Sequence, residues 1–178
     1  MLTTPWFIAT EKFENSHAGW EKYIAWAKLD QLDEVVSLDC SLCPTVLPKI
    51  KPEYWNRIVN EDFMLKFFTD LDFLRGEIAD IPQKNVLCVF RNPSVHPASR
   101  VPDDFKFVGY DLVDVQSQIS ALTNCGGFFD VFSGSELSEK GLLTSFERSR
   151  EVQAGLRSQY PHDPHANCHL WAIFRDSS

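Results

Sequence analysis

Three of the chain's five histidines and one of its five cysteines fall within eight residues, His162 to His169, inside the stretch "YPHDPHANCHLWAIFR". Imidazole nitrogen and thiolate sulfur are the donors zinc prefers, which makes His162, His165 and Cys168 candidate metal ligands. Cys40-x-x-Cys43 could supply a further pair. Three features of the sequence oppose a zinc site. Pro161 and Pro164 make "PHDPH" a turn, where His and Asp are ordinary residents. If Cys168 opens a strand, it and His169 point to opposite faces and cannot both hold one ion. The lone "CSLC" pair has no second cysteine pair at finger-like spacing. The spacing therefore favours a polar turn beside a buried thiol, with zinc the one cofactor these residue types would suit. As a redox pair "CSLC" has the wrong context, because it follows a predicted helix and precedes a proline instead of opening a helix.

Cys125, in "TNCGG", is the best-placed nucleophile in the sequence. The glycines after it could free backbone N–H groups for an oxyanion hole, with His96, His165 or His169 as base and Asp111 or Asp114 to orient it, His169 and Asp111 being the pair singled out. Such a site would make the chain a hydrolase or transferase. The competing reading is a tight turn in which glycine supplies positive φ, around a small buried thiol. Asp111 and Asp114 face opposite ways if "GYDLVD" is a strand, so they make a poor acid/base pair. No GxGxxG, GxxxxGK[ST], GxSxG or HExxH occurs, which removes the commonest nucleotide-binding and hydrolase signatures.

These side chains would be positioned by a chain of 178 residues that is 44% hydrophobic and 13% aromatic, enough for one substantial core. An odd number of cysteines in a chain of this length is a poor disulfide framework. The first residues lack a basic region followed by an apolar run, and no window is long and apolar enough to span a bilayer. A cytoplasmic protein with reduced thiols is expected. The net charge is −8, and residues 1–80 carry most of it, with 14 acidic and 8 basic side chains. No run of Lys and Arg offers a bed for a phosphate backbone, so nucleic acid is not an expected partner, whereas a basic protein is.

Apolar spacing near 3.6 residues predicts helix from Trp20 through Val36, and again through Trp55, Ile58, Val59, Met64, Phe67, Phe68, Leu71 and Leu74. Pro52 would start the second helical region, Asn60 would cap a junction and Gly76 would stop it. Beyond residue 85 the period changes. "NVLCVF" reads as a buried strand, and "FKFVGYDLVDV" as an alternating one with Val108, Tyr110 and Leu112 on one face. "ISALTNCGGFFDVF" reads as two short strands about a Gly-Gly turn. Leu142–Gln159 reads as an amphipathic helix, and "CHLWAIF" as a strand alternating Cys168, Leu170, Ala172 and Phe174 against His169, Trp171 and Ile173. The expectation is a single α+β domain over 1–178. Its helical N-terminal half (about 18–76) packs on a largely antiparallel sheet, with one helix, from about 85–175. Trp20 and Trp26 lie about 240° apart around a helix at 100° per residue, so both cannot face one core stripe. One of them is then available to a partner.

The stretches "VVSLDCSLCP", "IVNEDFM", "FVGYDLVD", "ISALTNCGGF" and "HANCHLWAIFR", taken together, resemble a family of small uncharacterised bacterial proteins from about Trp20 to Arg175. That resemblance implies no activity and no cofactor. In size, acidity and lack of catalytic motifs the chain is also similar to the immunity proteins of bacterial toxin systems, which bind and block a toxin. The sequence thus points first to a small acidic protein-binding domain without catalytic activity. A Cys125 enzyme or a metal protein built on His162–His169 is the alternative.

Overall fold

The computed structural model describes residues 4–46, 58–59 and 65–178. At its centre lies β1 (Trp6–Glu11), followed by a two-residue strand β2 (Phe13–Glu14) and helix α1 (Trp20–Ala27). β3 (Glu34–Val35), β4 (Ile58–Val59), β5 (Phe67–Phe68) and helix α2 (Leu71–Glu77) lead into the long strands β6 (Lys84–Arg91) and β7 (Phe105–Asp114). Helix α3 (Phe146–Gln159) precedes the last strand, β8 (Cys168–Asp176). Six strands form one antiparallel sheet in the order β4-β5-β1-β6-β8-β7, while β2 and β3 pair separately.

The α+β class is as expected, but the helical N-terminal half is not. β1 precedes the region read as helix and sits in the middle of the sheet. Its "WFIAT" is buried on both faces and therefore shows no alternation. Helix α1 is only eight residues long and ends at Lys28, which adopts the left-handed conformation (φ 55°). Leu29, Leu32, Val35 and Val36 are buried as the sequence suggested, but along a turn and a short strand. Phe67 and Phe68 are likewise strand residues, one on each side of the sheet, and only Leu71–Glu77 is helical, capped by the Asp70 carboxylate on Phe73 N–H. Gly76 lies inside that helix, one residue before its end. Ile58 and Val59 form strand, and the readings placed on Pro52, Trp55, Asn60 and Met64 lie outside the described residues.

β8 alternates as its sequence predicts. Leu170, Ala172 and Phe174 face a core roofed by all three helices, through Trp20 and Tyr23 of α1, Leu74 of α2, and Val152 and Leu156 of α3. Trp171 and Ile173 face a second core with Ile8, Phe67, Leu87 and Val89, covered by Val36, Leu38, Leu65 and Leu142. There Trp171 stacks on Phe67 with centroids 5.2 Å apart. Burying an aromatic side chain this fully contributes roughly 1.5–3 kcal/mol, so β8 is a main stabilising element of the fold. In β7 a bulge between Phe107 and Gly109 shifts the pairing with β8. It moves Phe107 to the side of Tyr110 (centroids 5.0 Å apart) and Val108 to the second core, reversing their expected faces. Gly109 permits the close approach of the 142–143 segment, since a Cβ there would lie 2.5 Å from Leu142 Cβ.

The predicted strands in "ISALTNCGGFFDVF" are absent. Buried carboxylates shape that segment instead. Asp39 accepts from Ser120 N–H, from the Asn124 amide and from the N–H groups of Ser41 and Leu42. Asp111 accepts from Ser120 Oγ at 2.6 Å and from Ser37 Oγ. Asp114 closes the 115–119 turn through Gln116, Ser117 and Ile119 N–H. Side-chain acceptors thus take the donors that a strand ladder would have used. No helix among the described residues is long and apolar enough to cross a membrane.

Candidate protein-binding site

Helix α1 divides its two tryptophans between inside and outside. Trp20 is 7% exposed and packs on Phe13 and Tyr23, so it is a core residue and no partner anchor. Trp26, six residues on, is 53% exposed. Tyr23 docks the loop at 121–127 onto this helix by donating its hydroxyl to Thr123 C=O at 2.8 Å. Burial pushes the Tyr23 phenol well above its ordinary value, so the donor is permanent near neutral pH.

The docked loop turns at Gly126 and Gly127 (φ 81° and 103°). A Cβ on Gly127 would lie 2.3 Å from the Phe129 ring, so glycine serves here both for its backbone angle and for the ring lying against it. Phe128 turns inward against Tyr160 (4.8 Å) and His165 (5.5 Å). Phe129 turns outward and is 64% exposed. Trp26 and Phe129 are two of only three large hydrophobic side chains exposed among the described residues, Val95 being the third, and both line one cleft of about 150 Å³. Leu29, Leu122 and Phe132 also line it, as does Thr123, whose buried hydroxyl has no partner. Exposed Asp30 and Asp130 directly follow the lining residues Leu29 and Phe129.

Cys125 lines the same cleft. Its Sγ lies 2.8 Å from Ala121 C=O, and burial pushes its pKa up to about 11, with Asp163 and Asp39 adding to the effect. It is therefore a thiol near neutral pH. The structure does not bring His169 or Asp111 to it. Asp111 is paired across the sheet with Trp171, and His169 with Val113, so both face the second core, whereas Cys125 packs against the first. Asp111 is fully buried between two serines. Burial lifts its pKa to about 6, against the opposing hydrogen bonds from Ser120 and Ser37.

The C-terminal histidines do not converge either. His162 is exposed on a separate shallow cleft beside Arg157. His165 is buried, with Nδ1 2.8 Å from the Asp163 carboxylate. Cys168 is buried in the first core and His169 faces the second, as a strand requires. Cys40 and Cys43 are both free; each thiol contacts a backbone carbonyl, of Ser117 and Val35 respectively. Among the described residues no group of three or more His, Cys, Asp or Glu side chains is arranged to hold a metal ion.

Phe129 and the Asp39 hub were not apparent in the sequence as functional or organising residues. The signal for Phe129 was present in "GGFFDVF", because two adjacent phenylalanines leaving a tight turn cannot both point inward. No protein-family model, no curated protein and no solved structure matches this chain.

Proposed function

We propose that this protein is a non-enzymatic binding domain that recognises a protein with a basic surface, in the manner of an immunity protein, through the Trp26–Phe129 cleft. The observation that carries this reading is the coincidence of the two exposed aromatic side chains on the rim of one small apolar cleft. Aromatic anchors around a desolvated pocket are the usual centre of a protein interface. A cavity of about 150 Å³ holds a benzene-sized group, so one leucine or aromatic side chain of the partner would enter it. The chain's net charge of −8, with Asp30 and Asp130 beside the rim, favours a cationic partner and speeds its approach. Among the described residues Cys125, His169 and Asp111 lie apart, as do the C-terminal histidines, so the binding reading rests on the cleft alone.

The test is photocrosslinking inside the source cells, with a photoreactive phenylalanine analogue at position 129 and, as control, at exposed Val95. The reading predicts a discrete adduct with a basic protein from position 129 only. Identical adducts from both positions would overturn it.

A further inference from the structure

A second cleft, sharing no lining residue with the first, opens where β1 and β8 end and β6 and β7 begin. Its volume is about 970 Å³, at the upper end of the range for small-molecule sites. Six cations line it, from six different parts of the chain: Lys12, Arg75, Lys84, Lys106, Lys140 and Arg175. Two side-chain carboxylates, Glu139 and Asp176, share the lining. Three of the cations already have carboxylate partners: Arg175 and Lys140 meet Glu34, and Arg75 meets Asp104 and Asp176. Lys84 donates to Ile81 C=O. Lys12 and Lys106 have no side-chain partner among the described residues, so their charge is available to a ligand.

The most buried polar side chain of the lining is Asn85, 2% exposed, with neither its amide nitrogen nor its amide oxygen bonded to another described group. The sheet register fixes its direction. Lys106 and Leu87 are both directly opposite Arg175, and Asn85 lies two residues before Leu87, so Asn85, Lys106 and Arg175 project from one face. Thr10, opposite Asn85, and Thr45, bridged to Thr10, also carry buried hydroxyls without partners. A buried polar group left unpaired is costly, and such groups are rare in folded proteins. Lys12, Lys106 and the Asn85 amide thus line one cleft with polar groups that no other side chain of the described residues engages.

We infer that this cleft binds a compact phosphate-bearing anion of the nucleotide class. Six cations lining one cleft suit a dense, multiply charged group better than an extended acidic strand lying along the surface. An amide offering a donor and an acceptor side by side matches the planar donor–acceptor edge of a base. This inference is independent of the protein-binding reading.

The experiment is calorimetric titration of the full chain with three probes: ATP without metal, inorganic pyrophosphate and a hexaglutamate peptide. ATP and pyrophosphate are expected to bind saturably. Both should weaken about a hundredfold or more in Lys12→Ala/Lys106→Ala, because the double variant removes two charge-assisted contacts. Asn85→Ala should weaken ATP and leave pyrophosphate unchanged, and Trp26→Ala should bind ATP as the wild type does. Absence of saturable ATP and pyrophosphate binding, or affinities unaltered by the lysine pair, would overturn the inference. So would tighter binding of hexaglutamate than of ATP, or an ATP affinity indifferent to Asn85→Ala. Should Asn85→Ala fail to fold, the lysine pair on the surface still decides the question.

Discussion

Asp111 is a carboxylate held where a carboxylate is costly. Burial raises its pKa to about 6, although Ser120 and Ser37 donate to it and partly offset the cost. The folded protein therefore holds this proton more tightly than the unfolded chain, whose aspartates titrate near 3.8. The stability this proton confers is fully present below about pH 4 and is lost as pH rises through about 6. Denaturant unfolding of wild type and Asp111→Asn from pH 4 to 7 should show the wild type losing ground across that window. The slope should be at most about 1.4 kcal/mol per pH unit; a difference that stays level would contradict the burial argument. Cys125 offers a second test at this scale. With its pKa near 11, its thiol should react with a disulfide reagent far more slowly at pH 7.5 than a free cysteine, accelerating only in strong alkali. These environments were only partly legible in the sequence. The opposite facing of Asp111 and Asp114 follows from strand periodicity alone. That Asp111 meets Ser37, 74 residues away, depends on how the 33–46 segment crosses the sheet, which no local pattern encodes.

At the scale of elements, the long strands and the last helix of the second half declare themselves, whereas the first half and the 119–132 segment do not. β8 and the end of α3 carry clear signals, strict alternation in one and a stop at Pro161 in the other, but the helix begins at Phe146 behind its Ser145 cap and not at Leu142, because Leu143 bridges to Tyr110. Ser145→Ala removes the acceptor for Arg148 N–H and should cost about 1 kcal/mol in denaturant unfolding. β1 hides because a strand buried on both faces has no polar phase. The 29–36 stretch misleads because its buried residues fall at helical spacing by way of a turn. The bulge in β7 is signalled only by Gly109, and it exchanges the faces of Phe107 and Val108. The Gly126–Gly127 turn makes a sharper prediction. Gly127→Ala forces a side chain into φ 103° and against the Phe129 ring, which should cost roughly 1–3 kcal/mol and displace that ring. Unfolding midpoints, together with the fluorescence of neighbouring Trp26, would register both effects.

At the scale of the whole molecule, charge is arranged in a way the linear order conceals. Lys12, Arg75, Lys84, Lys106, Lys140 and Arg175 form no run, so the sequence reads as a chain without a basic site, yet the fold gathers them at one end of the sheet. Trp26 and Phe129, 103 positions apart, both line the other cleft because Tyr23 ties the glycine turn to α1. An acidic protein with one apolar aromatic cleft should bind its partner with a salt-sensitive on-rate and an off-rate set by the aromatic anchors.

The decisive measurement is therefore a titration of the protein captured from position 129, against wild type and the Trp26→Ala, Phe129→Ala and Val95→Ala variants, at low and high salt. Each aromatic substitution should weaken binding about thirtyfold or more, as the loss of an interface hot spot of about 2 kcal/mol requires. Val95→Ala should change nothing, and added salt should slow association. Affinity unaffected by either aromatic substitution would contradict the assignment of this cleft as the binding site.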